Sequence, residues 1–163
     1  MKTLFLLRHA KAEKEIAGKE DFNRDLTERG MRNAHAMARK SGIDKNHLDL
    51  ILSSPANRTI QTTRIFAENL EIPNEKIFEN LSIYQADVDT LYDLILILPE
   101  DINTAMLVGH NPGVAMLIGM LTGKMPEKVP TCTLAAIQFP VNSWSQISHG
   151  SGRLFLFEYP EKD

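Results

Sequence analysis

The sequence predicts an α/β fold, a three-layer sandwich in which helices flank a mainly parallel central sheet. Three observations carry the prediction. Short apolar runs recur along the chain, and most lead through a loop into residues at helical spacing, as in repeated β-α units. Three of these runs deliver an arginine or a histidine to the following loop or helix. They are Leu7-Arg8-His9-Ala10, Ser53-Ser54-Pro55-Ala56-Asn57-Arg58-Thr59-Ile60-Gln61-Thr62, and Val108-Gly109-His110-Asn111-Pro112-Gly113. Two final runs stand in tandem without a helix between them, so that end of the sheet can be mixed.

The elements follow in order. The first strand covers residues 3–7 and is closed by the charge of Arg8. Thr27 can cap a helix reaching about Ser41, with Gly42 as its C-terminal stop. Residues 48–52 form a second buried strand. After Pro55 a helix runs from about Asn57 to Leu70, with Ile60, Ala67 and Leu70 on one face and Phe66 beside them. Pro73 closes that unit, because it cannot continue a helix. Ile77-Phe78 is a short strand. Val88, Leu91, Leu94, Ile95 and Leu98 make a helical stripe ended by Pro99. Residues 104–108 are strand, and Pro112 suits the first turn of a helix reaching about Leu121. Residues 133–139 and 153–159 are the last two strands, joined by a loop rich in Asn, Ser and Gly. No repeat or compositional break interrupts the pattern, so residues 1–163 are read as a single domain.

Composition narrows the function. A net charge of −3 and a pI near 6.0 argue against a protein built to hold nucleic acid, which would be basic. The apolar stretch of residues 113–121 is far shorter than the ~20 residues of a membrane helix, and the one before Arg8 is too short for a signal peptide. A cytoplasmic protein without membrane or nucleic-acid partners is expected. Cys132 is the only cysteine, which excludes an internal disulfide, and its apolar neighbours suit a small buried hydrophobe. His35, His47 and His149 lie in polar surroundings and read as surface residues. No HExxH or paired-cysteine spacing occurs, so no metal cofactor is expected.

The polar groups at the three strand ends point to phosphate. Ligands of open α/β sheets sit beyond the carboxyl ends of the strands, where Arg8-His9, Arg58 and His110 all fall. Phosphoryl transfer is mostly positioning and charge stabilisation, and guanidinium groups supply permanent charge in a fixed donor geometry. His110, if protonated, adds a third positive donor, and amides at the helix start after Asn111 can help hold an anion. A neutral imidazole at His9 is chemically able to attack phosphorus in line.

Together these stretches resemble the histidine phosphatase superfamily, the phosphoglycerate mutase-like fold. RHAKAE, the R-DLTERG stretch, SSPANRTIQT and GHNP most resemble its SixA-type phosphohistidine phosphatase branch, in the right order from Met1 to about Gly123. The resemblance implies that His9 is the nucleophile and that Arg8, Arg58 and His110 complete the catalytic set. It also places Arg24 near the phosphate pocket, where the bare sequence allows only a solvated loop charge. Asn111 matches the branch's GHNP, either as a donor to phosphate or only as the residue that shapes the turn before Pro112.

The resemblance implies as well that larger members use a carboxylic acid to protonate an alcohol leaving group. Here Ile83-Tyr84-Gln85-Ala86 aligns with the branch's LYxA-type stretch and leaves Ser82 near the acid position. Glu79 serves only if the loop curls differently, and Asp87 is the other carboxylate within reach. General acid catalysis is typically worth ~10²–10⁴-fold, which an alkoxide needs and an imidazole does not. Three readings follow: a phosphohistidine phosphatase acting on a phosphorylated protein, a small-molecule phosphomonoesterase or mutase that recruits Glu79 or Asp87, and a phosphate-binding module without turnover. The few short segments available to cover the pocket suit a shallow site and a protein substrate. Small metabolites ordinarily want a deeper pocket.

Overall fold

A computed structural model of the chain describes residues 1–161. Its strands are β1 (Lys2–Arg8), β2 (Leu50–Ser53), β3 (Ile77–Glu79), β4 (Thr104–Gly109), β5 (Leu134–Phe139) and β6 (Arg153–Glu158). The helices are α1 (Glu28–Lys40), α2 (Asn57–Leu70), α3 (Val88–Leu96) and α4 (Gly113–Thr122). The strands form one sheet in the order β3-β2-β4-β1-β5-β6. The pairs β3-β2, β2-β4 and β4-β1 are parallel, whereas β5 is antiparallel to both β1 and β6. The sheet is therefore mixed, with β5 alone running against the rest.

Helices cover both faces, which makes the three layers. On one side Leu4, Leu6, Leu107 and Ile137 pack against Leu91 and Ile95 of α3 and Leu117, Ile118 and Leu121 of α4. On the other, Leu7, Ile51, Met106 and Leu134 meet Ala34, Met37 and Ala38 of α1 and Phe66 and Ala67 of α2. Leu6 and Leu7 are both fully buried on opposite faces, as expected of a central strand in a doubly covered sheet. That double burial explains why the strands read as unbroken apolar runs.

Local chemistry sets the boundaries. The Thr27 hydroxyl accepts the Gly30 N–H at 3.0 Å and caps α1, and Gly42 takes a left-handed φ of +71° after its end. The second strand starts at Leu50, two residues later than expected. Leu48 closes a turn on the Asp44 carbonyl, and the Asp49 carboxylate holds the N–H groups of Asn103 and Thr104. Helix α3 stops at Leu96 rather than Leu98, because the residue before Pro99 is disfavoured in the α region and Leu98 instead bonds Ile95 three residues back. Pro112 is the cap residue of α4, one position before its first turn. Cys132 is buried, and burial pushes its thiol up to about 12, so it is inert packing.

Gly30 shows how tightly α1 seats on the loop after β1. A Cβ there would lie 2.1 Å from the Lys11 carbonyl oxygen, which already accepts the Thr27 N–H. Backbone must move to admit even a methyl group. Gly30→Ala should cost about 1–3 kcal/mol, as overpacking does, read as a lowered denaturation midpoint. A midpoint equal to wild type would show that this contact is loose.

Candidate active site

The sheet order assembles the site. Strands β1 and β4 are neighbours with Arg8 in register with Gly109, so His9 and His110 emerge side by side with ring centroids 5.4 Å apart. On the far flank of β4, Ser53 is in register with Val108, and Ser54 donates its N–H to the Val108 carbonyl at 3.1 Å. The Ser54 hydroxyl lies 2.8 Å from His110 Nε2. Two residues past Ala56, Arg58 enters from the first turn of α2. The fold thus brings together the four residues singled out from sequence.

His9 is held as a nucleophile would need to be. Its backbone bonds Gly109 and Cys132, and its Nδ1 lies 2.7 Å from the Ala10 carbonyl oxygen. A carbonyl only accepts, so Nδ1 carries the proton and Nε2 keeps its lone pair. Burial drives the ring's pKa down to about 3; the bond to Ala10 opposes this, while His110, Arg8 and Arg58 reinforce it. Thr62 of α2 accepts the Ala10 N–H at 3.0 Å and fixes the turn that places the ring.

The guanidinium groups converge on the imidazoles. Arg58 is 5% exposed and donates to the Asp21 backbone carbonyl at 2.8 Å and to Asp21 Oδ2 at 3.0 Å. Arg8 donates to the Val129 carbonyl at 2.9 Å, and burial together with Arg58 pushes its pKa down. Arg24 joins this group through Asp21, which accepts its Nε and NH2 on Oδ1 at 3.0 and 2.8 Å. Among the described residues, Arg8 Nε, Arg58 Nε and His110 Nδ1 are buried without a hydrogen-bond partner. Buried donors in native proteins nearly always have acceptors. The two guanidinium donors, joined by His110 Nδ1 when that nitrogen carries a proton, suit an oxyanion.

Asn111 Nδ2 donates to the Val129 carbonyl at 2.9 Å, so its amide pins the same loop that holds Arg8, while its Oδ1 is buried with no partner among the described residues. His110 departs from the protonated state considered above. Burial, and next the charge of Arg58, hold its pKa down to about 4, so with these neighbours it is neutral at pH 7. A phosphoryl dianion beside it would act in the opposite direction.

Neither alternative carboxylate bonds the groups gathered here. Glu79 is exposed at the end of β3, beside Arg64 on the outer side of α2, and Asp87 caps α3 by accepting the Thr90 N–H. Ser82 bonds Asn80 instead. The carboxylate at the site is Asp21, which the sequence does not single out. Burial raises its pKa, but hydrogen bonds from Tyr84, Arg24 and Arg58 outweigh this and hold it well below the usual range. Tyr84, whose hydroxyl donates to Asp21 at 2.6 Å and whose ring stands edge-on to His110, was read only as an alignment marker. The one sequence signal for Asp21 was its spacing of three residues from Arg24.

The model for the histidine phosphatase superfamily (branch 1) matches residues 4–81. An uncharacterized chloroplastic protein of Arabidopsis thaliana is 32% identical over 157 residues, covering 91% of this chain and 72% of its own. The structure of SixA from Agrobacterium tumefaciens, assigned as a phosphohistidine phosphatase, has 31% identity and a TM-score of 0.82 over 98% of this chain and 99% of that one. A protein histidine phosphatase SixA complexed with tungstate shares the fold at 22% identity and a TM-score of 0.80, over 96% of each chain.

The depressed histidines predict how the protein responds to acid. Folded pKa values below the unfolded one mean that the unfolded chain binds more protons, so stability is present above about pH 6.5 and falls as the pH drops toward 4 and 3. Ring carbon shifts in an NMR titration should show His9 and His110 neutral down to about pH 5. A midpoint at 6 or above for His9 would refute the burial argument.

Proposed function

The chain belongs to the histidine phosphatase superfamily, and we propose that it is a phosphatase of the SixA type that forms a phosphohistidine on His9 and acts on phosphohistidine in a partner protein. The observation that carries this is the neutral, buried His9, with its free Nε2 set among Arg8, Arg58 and His110.

The steps follow from these groups. Nε2 attacks phosphorus as the bond to the substrate imidazole breaks, and that ring, protonated on its other nitrogen, departs as a neutral imidazole with the electron pair. The His9 ring becomes cationic, its Nδ1 proton steadied by the Ala10 carbonyl. Arg8 and Arg58 neutralise charge on the equatorial oxygens, where positioned donors are worth most. Arg24, held through Asp21, sits at the edge of the same field. Water then attacks phosphorus, both its protons leave with inorganic phosphate, and His9 returns to its neutral form. His110 is well placed to gain a proton as the dianion binds and to serve as a further donor.

The leaving group supports a phosphoramidate over an alkyl phosphate. Asp21 is ionised and bound by two arginines and a tyrosine, so it has no proton to give. Glu79 and Asp87 face elsewhere. An imidazole needs no such donor, and transfer from one imidazole to another is nearly balanced in energy.

The covalent step is tested by quenching the enzyme with labelled substrate. The adduct should be acid-labile and alkali-stable and should vanish in His9→Ala; a label that persists there removes His9 as nucleophile. Arg8→Ala and Arg58→Ala should each lower kcat/KM by at least about 10²-fold with folding intact, and Arg58→Lys should also be impaired because an ammonium lacks the planar fork.

Substrate class is tested by initial rates on a phosphohistidine peptide, p-nitrophenyl phosphate and 3-phosphoglycerate. The peptide should lead. Rates on aryl phosphates should fall steeply as leaving-group pKa rises, and EDTA should change nothing. A flat dependence, or alkyl phosphate hydrolysis selectively lost in Glu79→Gln, would favour the small-molecule reading.

A further inference from the structure

Strand β6 ends the sheet, with one edge paired to β5 and the other unpaired. Its sequence, Arg153-Leu-Phe-Leu-Phe-Glu158, is apolar between two opposite charges. Leu154 and Phe155 are 39% and 44% exposed, and Met125 nearby is 57% exposed. Leu154, Phe157, Met125, Ile118 and Tyr159 line a groove of about 860 Å³ beside the strand. An apolar edge of this kind is a template for another strand, and proteins normally blunt one with charge or cover.

The register against β5 shows which side chains share a face. Glu158, Phe157, Leu156, Leu154 and Arg153 pair with Leu134, Ala135, Ala136, Ile137 and Gln138 in turn, and Phe155 is the extra residue of a bulge. Alternation then puts Arg153, Leu156 and Glu158 on the α1 face and Leu154 and Phe157 on the α4 face. The contacts agree: Glu158 reaches Lys40 at the end of α1, and Phe157 packs with the α3-α4 core. Counted by ladder position, the strand is complementary to its own reverse. A two-fold axis through Leu156 sets Arg153 against Glu158 of a second copy on one face, and Leu154 against Phe157 on the other. Both charges are exposed. Pro160 has no N–H to extend the ladder, and at the other end Gly152 is wedged so close to Ile137 and Phe139 that a Cβ would clash.

We propose that this edge is a self-association surface, where two copies of the chain join antiparallel through β6 into one continuous sheet. The contact is isologous, as a two-fold interface must be. Aromatic–aliphatic and opposite-charge pairs directly across antiparallel strands supply its specificity. Strand β6 runs in the same direction as β1, so the two candidate active sites open at opposite ends of the joined sheet. Each stays free for its own partner, and the proposal stands whatever the substrate proves to be.

Sedimentation equilibrium of the full chain, up to hundreds of micromolar, should show a monomer–dimer equilibrium. Arg153→Glu alone and Glu158→Arg alone each set like charges face to face twice per interface and should raise the dimer Kd at least about tenfold. The combined swap, Arg153→Glu with Glu158→Arg, restores opposite charges and should return Kd to within about threefold of wild type. Turnover per protomer should not change across the series, since neither residue touches the site, and Lys40→Ala, which removes only the ion pair of Glu158 within the protomer, should leave the dimer Kd unchanged. A wild type that remains monomeric, a dimer indifferent to the single reversals, or a swap that fails to recover would each overturn the proposal. A dimer indifferent to both reversals would place self-association on another face, leaving β6 to a different partner.

Discussion

Two guanidinium groups and two imidazoles are gathered at the carboxyl ends of β1, β2 and β4 with, among the described residues, one carboxylate between them. Such a gathering resists itself. Burial and mutual repulsion push Arg8, His9 and His110 away from their charged forms. The side chains stay because their backbones are over-determined: His9 is tied to Gly109 and Cys132, Ser54 to Val108, and Arg8 to Thr133. The core therefore holds an unfavourable charge arrangement in place. What it gains is a preorganised field for a phosphoryl group, which needs little rearrangement when charge develops.

Asp21 reconciles that field with a stable protein. Its side chain joins Arg58, Arg24 and Tyr84, and its backbone carbonyl accepts a further Arg58 bond. A guanidinium this buried would be costly without a counter-charge. The carboxylate is also why the site lacks an acid: any proton would have to displace three partners. One residue thus stabilises the arginines and, on the proposed function, favours leaving groups that depart unaided. The loop carrying Val129 acts similarly on the other flank, where one carbonyl accepts from both Arg8 and Asn111.

Much of this was legible in the sequence. Strand ends that deliver Arg8-His9, Ser53 to Arg58 and His110 show themselves because apolar runs of a doubly covered sheet are continuous and stop abruptly at the first charge. The caps at Thr27 and Gly42 follow from local chemistry, and both hold. Asp21, Tyr84 and Val129 were not legible as site residues because their roles depend on the sheet order. Only when β1, β4 and β2 lie side by side do residues more than sixty positions apart, such as Asp21 and Tyr84, meet at one hydroxyl. The protonation of His110 was also beyond sequence, since it depends on how much water the fold removes.

The same sheet order separates two kinds of edge. Strand β3 pairs with β2 over only three residues and then turns into the segment that carries Tyr84. A strand so short offers little to pair with. Strand β6 keeps a longer apolar edge, at the end of the sheet remote from α2 and Arg58. Reactive groups need an opening where strands end, whereas association needs a flank where backbone runs parallel to the surface. Because β5 alone reverses direction, the flank lies along the tandem strands β5 and β6 and leaves the mouth of the site clear. Chemistry and the proposed assembly can then vary independently, since Arg153 and Glu158 bond Gln138 and Lys40 rather than the groups at the strand ends.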